Sequence, residues 1–452
     1  MKPFLIIPVE NQVRELDAKL LVTVLAAQEG WTSVIGSKWS IHERIGRFPP
    51  SIYIAKSFIQ RDVKMLQIMR SIGHYVIAWD EEALVTFPPE IYYARRVGRG
   101  ALKFVDLLVA WGEDNRDLFY GHPECRHETV HVLGNPRADL LRPEMRELFQ
   151  DRVNGLRREY GDFILINTNF NAVNCYLNTW NLLYMDHGEW VRGYGAVGMP
   201  EEYVKGRFEY KQAVFEAYQA LIPAIARAFP GRRIVLRPHP SENHDLWRRL
   251  LEGHANICVC SEGNVVPWLI ACDCLIQSGC TTSVEGFLLG TRIVSFVPVE
   301  GQRYEFRLPN ELGMQCRTVD EVIAAIRDPD TDRDPGGARR RLLERVIYGF
   351  DGELASARLL KLLPSRSPYA SVSHIPSRLS GIVSAERRAR KKQKQLRAGD
   401  PRYSTDYMRQ RFPHLEVSAL QEQAERLRRI TGVSRSIEVR RRYEDIFEVR
   451  PA

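Results

Sequence analysis

Long apolar runs are missing from this chain of 452 residues: none approaches the roughly 18 uninterrupted apolar residues that a membrane span needs. The apolar part of the opening MKPFLIIPVENQ is too short for a secretory signal and reads as a first strand. Without an export signal the expected location is the cytoplasm. The eight cysteines are irregularly spaced, which argues against a disulfide framework. None of the long apolar strand-like runs is followed by G-x-G-x-x-G, since GYGAVG at 193–198 follows the polar EWVR, so a dinucleotide site is not expected. Cys258-x-Cys260 and Cys272-x-Cys274 have one-residue gaps and lie in or beside strands, where Cys is a common buried apolar residue, so zinc is not expected either. No D-x-D pair sits in a convincing loop. The sequence thus calls for no metal and no other cofactor.

Charge excess is also missing from most of the chain. The net charge is +8, but residues 365–452 hold 20 basic and 10 acidic residues, whereas the preceding 364 hold 44 and 46. All of the basic excess is C-terminal.

What is present is a repeat of short apolar runs and helical periodicity. PFLIIPVE, WTSVIGS, SIYIAKS, HYVIAWDEE, DLLVAWGE and TVHVLGNPR read as strands, with helices expected over 12–29, 59–72 and near 90–104. A second series runs through DFILINTNF, RIVLRP, NICVCSE, CLIQSG and RIVSFVP, with helices over about 208–229, 243–252, 264–271 and 281–289. Near-continuous apolar strands alternating with helices imply parallel sheets covered on both faces. The expected fold is α/β, with two Rossmann-like domains over 1–150 and 151–364 facing across a cleft, and a basic linker and helical tail over 365–452. In such sheets ligands bind beyond the carboxyl ends of the strands.

Polar residues do cluster at strand ends. In IQSGCTTSVEG, Ser278, Thr281, Thr282 and Ser283 stand at the mouth of a helix, where N–H groups and hydroxyls suit a phosphate, and Glu285 lies one step inside, placed to accept from ribose hydroxyls. An ordinary Ser/Thr cap gives the same pattern. In VLRPHPSEN, two prolines stiffen the backbone around His239, which together with Arg237 and Ser241 offers donors to a phosphate; a proline-terminated strand is the plainer reading. The two motifs together favour the phosphate. Asn167 and Asn169 close the first strand of the second series, where their amides suit a base or ribose, although Asn is also a common turn residue.

RPHP followed by SGCTTSVEG resembles the paired histidine–proline and serine/threonine motifs of GT-B glycosyltransferases that use CMP-activated sugars, such as polysialyltransferases and capsule Kdo transferases. Teichoic acid polymerases, which use CDP-glycerol, have a similar pair. IPVENQVRELDAKLL, AWDEEALV, GNPRADLLRPE and ILINTNFNAVN are similar to bacterial surface carbohydrate biosynthesis proteins. The resemblance implies metal-independent transfer of a sugar from a nucleotide-sugar, CMP-linked, to a surface polysaccharide or lipid-linked glycan. In those families the His matching His239 and the hydroxyls matching Ser278, Thr281 and Thr282 touch the nucleotide. PVENQVRE stands where a glycine-rich acceptor loop is usual. Other outcomes within this fold are a CDP-alcohol phosphotransferase or a sugar-nucleotide epimerase; a non-catalytic nucleotide or glycan scaffold is the rival from outside enzymology.

The N-terminal strand ends would hold the acceptor. Asp80, Glu81 and Glu82 follow a buried strand, and a carboxylate facing an apolar cleft acquires a raised pKa and can act as a general base, or as nucleophile in a retaining mechanism; a solvated turn is the alternative. Glu10, Asn11 and Arg14 end the first strand, and Lys56 the third, as candidate acceptor contacts. GNPR, Gly134 to Arg137, reads as a rigid turn. The run from Arg387 to Arg397 could lie along anionic headgroups on the inner face of the plasma membrane, or be a solvated helix; nothing in the folded part supports nucleic acid as its partner.

Overall fold

A computed structural model describes residues 3–84, 87–328, 334, 337–371, 374–398 and 404–452. The chain forms two compact units: one of residues 1–83, 96–148 and 344–452, the other of 84–95 and 149–343.

The first unit begins with six parallel strands: β1 (Leu5–Val9), β2 (Ser33–Ser37), β3 (Ile52–Ala55), β4 (Tyr75–Trp79), β5 (Leu107–Ala110) and β6 (Val130–Val132). Their order is β2-β1-β3-β4-β5-β6, so the chain reverses its direction of growth between β1 and β3. LIIPV, SVIGS and IYIA are buried along their whole length, as strands covered on both faces must be. Leu5, Ile7, Ile52, Ile54, Ile77 and Trp79 pack with Val22 and Ala26 of the helix Gln12–Gln28.

The second unit is built on β7 (Phe163–Asn167), followed by a small antiparallel hairpin of β8 (Leu183–Asp186) and β9 (Glu189–Arg192) in the Tyr- and Trp-rich connection. The long helix Glu201–Ala228 leads to β10 (Arg233–Arg237), β11 (Ile257–Val259), β12 (Cys274–Gln277), β13 (Arg292–Phe296) and β14 (Met314–Cys316). The sheet runs β11-β10-β7-β12-β13-β14, all parallel, which is the Rossmann strand order. It has six strands where sequence patterning shows five, because the short MQC of β14 follows no long apolar run. Ile164, Ile166, Leu236 and Ile276 meet Val214, Tyr218, Leu221 and Ile225 of the long helix in its core.

The C-terminal residues are no appendage. Asp139 accepts from the backbone N–H groups of Ala355 and Ser356 and from the Ser356 hydroxyl, which ties the returning chain to the first unit. The helix Ile375–Arg397 packs through Gly381, Ala385 and Ala389, where Gly381 lets it approach the backbone of Ser71 and Ile72. The chain ends in a hairpin, β15 (Ile437–Tyr443) and β16 (Ile446–Pro451), whose second strand pairs antiparallel with β2. Asp445 turns that hairpin with φ 56°. Composition hides this, because IEVRRRY and IFEVRP are rich in charge although Ile437, Val439, Phe447 and Val449 are buried. Among the described residues, no helix is long and apolar enough to cross a membrane.

Candidate functional site

In the second unit the strands grow from β7 to β10 and β11 on one side, then return to β12, β13 and β14 on the other. The switch point lies between β7 and β12, where neighbouring crossovers diverge and leave room for a ligand. Asn169 bridges it: its amide Nδ2 donates to the Gly279 carbonyl at 2.8 Å. Gly279 takes φ +60°, a left-handed conformation that turns β12 toward the helix Thr282–Leu289.

At this turn, where a phosphate cradle is expected, several donors are already paired within the protein. The Gly279 N–H donates to Asn310 Oδ1 at 2.6 Å and the Cys280 N–H to Gln277 Oε1 at 2.8 Å, so these groups are spent inside the protein. Ser283 is fully buried and donates to the Pro309 carbonyl at 2.6 Å. It is a structural residue. Thr282 donates to Cys280 Sγ at 3.1 Å. Thr281 occupies the helix N-cap without making a capping bond, leaving its hydroxyl for another acceptor. Ser278 and Glu285 are buried at the strand end and in the first helical turn.

The His239 loop hangs on one carboxylate that sequence reading passed over. Glu242, 2% exposed, accepts from the Thr168 hydroxyl (2.8 Å), the Phe170 N–H (3.0 Å), the His239 N–H (3.1 Å) and Trp247 Nε1 (3.0 Å). Burial pushes its pKa up against those four donors. His239 Nδ1 accepts from the Ser241 N–H at 3.2 Å and lies 2.7 Å from the Ser241 hydroxyl. In the neutral ring the proton therefore sits on Nε2, which makes that nitrogen a donor. Ser241 thus sets the tautomer. Arg237 does something else than expected: it donates to the carbonyls of Glu262 and Gly263 and lies over the Trp268 ring at 4.7 Å, so it braces a loop. Asn167 is buried with its Oδ1 lacking a partner among the described residues.

Lys211, on the long helix, is the residue whose absence from the sequence reading matters most. It is 4% exposed, and its ammonium donates to Asn169 Oδ1 at 3.2 Å. No carboxylate of the described residues lies within ion-pair distance of it, although an ammonium carries three donors. Burial, helped by the nearby Arg207 guanidinium, pulls its pKa down to about 7. A signal for it existed. Lys211 stands three, four and seven residues before Val214, Phe215 and Tyr218, on the stripe that forms the core. A charged residue on such a stripe has to be explained by a partner.

The first unit gathers its candidate residues at the ends of β1, β3 and β4, but it pairs them with one another. Lys19 donates to Glu15 at 2.7 Å and to the Pro8 carbonyl at 2.7 Å, and lies 3.6 Å from Glu81. Lys56 reaches Glu15 at 2.6 Å and Glu10 at 3.3 Å, while Lys38 and Arg411 also hold Glu10. Burial alone would raise the Glu10 and Glu15 carboxyls, but these cations outweigh it and hold both far below the usual carboxylate range. Glu10 and Lys56, expected as acceptor contacts, are members of an internal ion network. Asn11 donates its backbone N–H to Glu15.

The carboxylates expected to be catalytic are also paired within the protein. Asp80 is 1% exposed and clamped by Arg96 through two nitrogens, and its carbonyl accepts from Trp111 Nε1 at 2.8 Å. Glu81 is buried and accepts from Trp79 Nε1 at 2.8 Å. Glu82 keeps a partly exposed side chain, 3.5 Å from Arg14. Burial raises its pKa, but Arg14, Arg137 and Arg96 outweigh that and leave it below its ordinary value, the opposite of what a general base needs. Among the described residues, no three His, Cys, Asp or Glu side chains come together as a metal site.

Strand order and register define two Rossmann-like units, each with a switch point. No family model and no curated protein matches the sequence. Among solved structures, the chain is similar to the UDP-GlcNAc 2-epimerase of Neisseria meningitidis bound to UDP-GlcNAc, with 12% identity, a TM-score of 0.48 and coverage of 80% of this chain and 98% of that one. It is similar to the wall teichoic acid polymerase TagF soaked with CDPG, with 11% identity, a TM-score of 0.49 and coverage of 79% and 87%. The UDP-GlcNAc 2-epimerase of Methanocaldococcus jannaschii in complex with UDP-GlcNAc and UDP follows at 11% identity, a TM-score of 0.45 and coverage of 80% and 99%.

Proposed function

We propose that this chain is a glycosyltransferase that takes a nucleotide-sugar, CMP-linked, and moves the sugar to a surface polysaccharide or lipid-linked glycan. The observation that carries the reading is Lys211: a buried ammonium at the carboxyl edge of the second sheet whose one hydrogen bond goes to a neutral amide. Glu242 and Glu305 lie near enough to favour the ammonium but beyond ion-pair contact, and a buried cation with no anion in contact is costly, so a nucleotide phosphate at the switch point would supply one. His239 Nε2–H adds a donor fixed in direction by Ser241, and the Thr281 hydroxyl adds another. During transfer, Lys211 and His239 would stabilise the phosphate that leaves. Asn167 Oδ1, without a partner among the described residues, would accept from the base or ribose. The pairing of RPHP with SGCTTSVEG supports CMP as the nucleotide. Acceptor contacts fall to Asn11, Arg14 and Glu82, which keep exposed atoms.

The paired state of Asp80 and Glu81 favours a second reading, nucleotide binding without transfer. Calorimetric titration with CMP, CDP, UDP and GDP, with and without His239→Ala, tests the site. CMP should bind best, and the variant should lose at least about tenfold in affinity, or about 1.4 kcal/mol, with an unchanged melting temperature. Equal affinity in the variant overturns the assignment. Consumption of a CMP-sugar by the wild type separates transfer from mere binding.

A further inference from the structure

The helix Ile375–Arg397 has a face that the fold leaves uncovered. Gly381, Ala385 and Ala389 are buried against the first unit, and Lys392 on the same side lies over the Trp39 ring at 4.4 Å. On the opposite side Ile375, Leu379 and Val383 are 42%, 60% and 48% exposed, unusual for three aliphatic residues one turn apart. The row continues as Arg387, Arg390, Lys391, Lys394 and Arg397, all exposed. At 100° per residue these eight positions fall within one sector of about 160°. The one acid of this helix, Glu386, falls inside that sector, about 20° from Ile375, and is half-buried. One face is therefore apolar in its first half and cationic in its second.

We infer that this face docks on an anionic lipid bilayer, with the three aliphatic side chains entering the headgroup boundary and the five bases lying along the phosphates. A helix lying in an interface plane needs both an apolar part to insert and charge complementary to the lipid. The opposite face, packed on the first unit, fixes the helix to the folded chain, so the docking surface is rigid rather than a loose tail. The inference stands apart from the nucleotide reading.

The full-length protein is mixed with vesicles of phosphatidylcholine alone or containing about 30% phosphatidylglycerol, and binding is read by co-sedimentation. The wild type should bind the anionic vesicles and not the neutral ones, and binding should fall steeply as salt rises from about 0.05 to 0.5 M. A variant with R387Q, R390Q, K391Q, K394Q and R397Q should lose at least about 100-fold, each base contributing roughly fivefold. L379S with V383S should weaken binding without removing its salt dependence. All seven positions are exposed, so melting temperature and circular dichroism should match the wild type; the salt series on the wild type tests the inference even if a variant misfolds. Equal binding to both vesicle types, wild-type binding by the five-base variant, or binding to an RNA duplex with none to vesicles would overturn it.

Discussion

Replacing Lys211 by Met removes a buried charge that the folded protein tolerates at a cost. The ammonium has a pKa of about 7 in the folded chain, drawn down by burial first and by Arg207 second. In the unfolded chain it titrates near its ordinary value, about 10.4. Below about pH 7 both states are protonated and the full penalty stands. Between about pH 7 and 10.4 the unfolded lysine holds a proton that the folded one has lost, so wild-type stability gains with rising pH. From about pH 6.5 to 9.5 the gain from this one group is about 3 kcal/mol. K211M should be the more stable protein at low pH, with an advantage that shrinks by about that amount across the window. Urea midpoints of both proteins at the two pH values measure it, and other titrating groups cancel in the difference. The functional half of the prediction runs the other way. Between about pH 7.5 and 9, where the CMP phosphate is fully ionised, wild-type affinity should fall by up to about tenfold per pH unit as the ammonium is lost, and K211M should bind weakly with a flat profile. Parallel pH dependences of stability in the two proteins, or a wild-type affinity that ignores pH, would refute the reasoning.

Three further outcomes follow from the contacts. Glu242→Gln turns one acceptor oxygen into a donor facing donors, so stability should drop by about 2–4 kcal/mol and CMP affinity with it, read by denaturation and calorimetry. Asp80→Asn breaks the pair with Arg96; about 2–3 kcal/mol of stability should go, while transfer by the folded fraction stays within a few-fold. Collapse of turnover with unchanged melting would return Asp80 to a catalytic role. Gly36→Val would set a side chain against the Asp445 carbonyl, which lies 2.1 Å from the Cβ position; limited proteolysis should then release the C-terminal hairpin, and an intact, wild-type digest would contradict the packing.

The strands were the most legible part of this sequence. LIIPV, FILIN and CLIQ announce themselves as apolar runs because parallel strands are buried on both faces. The order of those strands is not written in any single run, since it depends on which side each crossover takes. The RPHP and SGCTTS motifs lie at the ends of β10 and β12, the two strands that flank β7, and within them Arg237 and Ser283 bond to backbone carbonyls, whereas His239 is aimed by Ser241. Glu242 and Lys211 were hidden for one reason. Each is a single charged residue whose meaning comes from partners distant in sequence, such as Thr168, 74 residues from Glu242, and Asn169, 42 residues from Lys211. Acidic runs misled in the opposite direction, because Asp80 and Glu81 look solvent-facing in AWDEE but end a strand beneath Arg96 and Trp111.

The pairing of β16 with β2 imposes a schedule on synthesis. Ser37 leaves the ribosome more than 400 residues before Ile446, and at about 5–20 residues per second that is about 20–80 s. Throughout it, the nascent first sheet presents the open edge of β2, with unpaired N–H and C=O groups able to recruit another strand. The second unit, continuous except for residues 84–95, can complete its sheet in the meantime. Ribosome-bound chains halted before residue 437 should therefore carry a finished second sheet beside an adhesive first one, and be the form that chaperones hold.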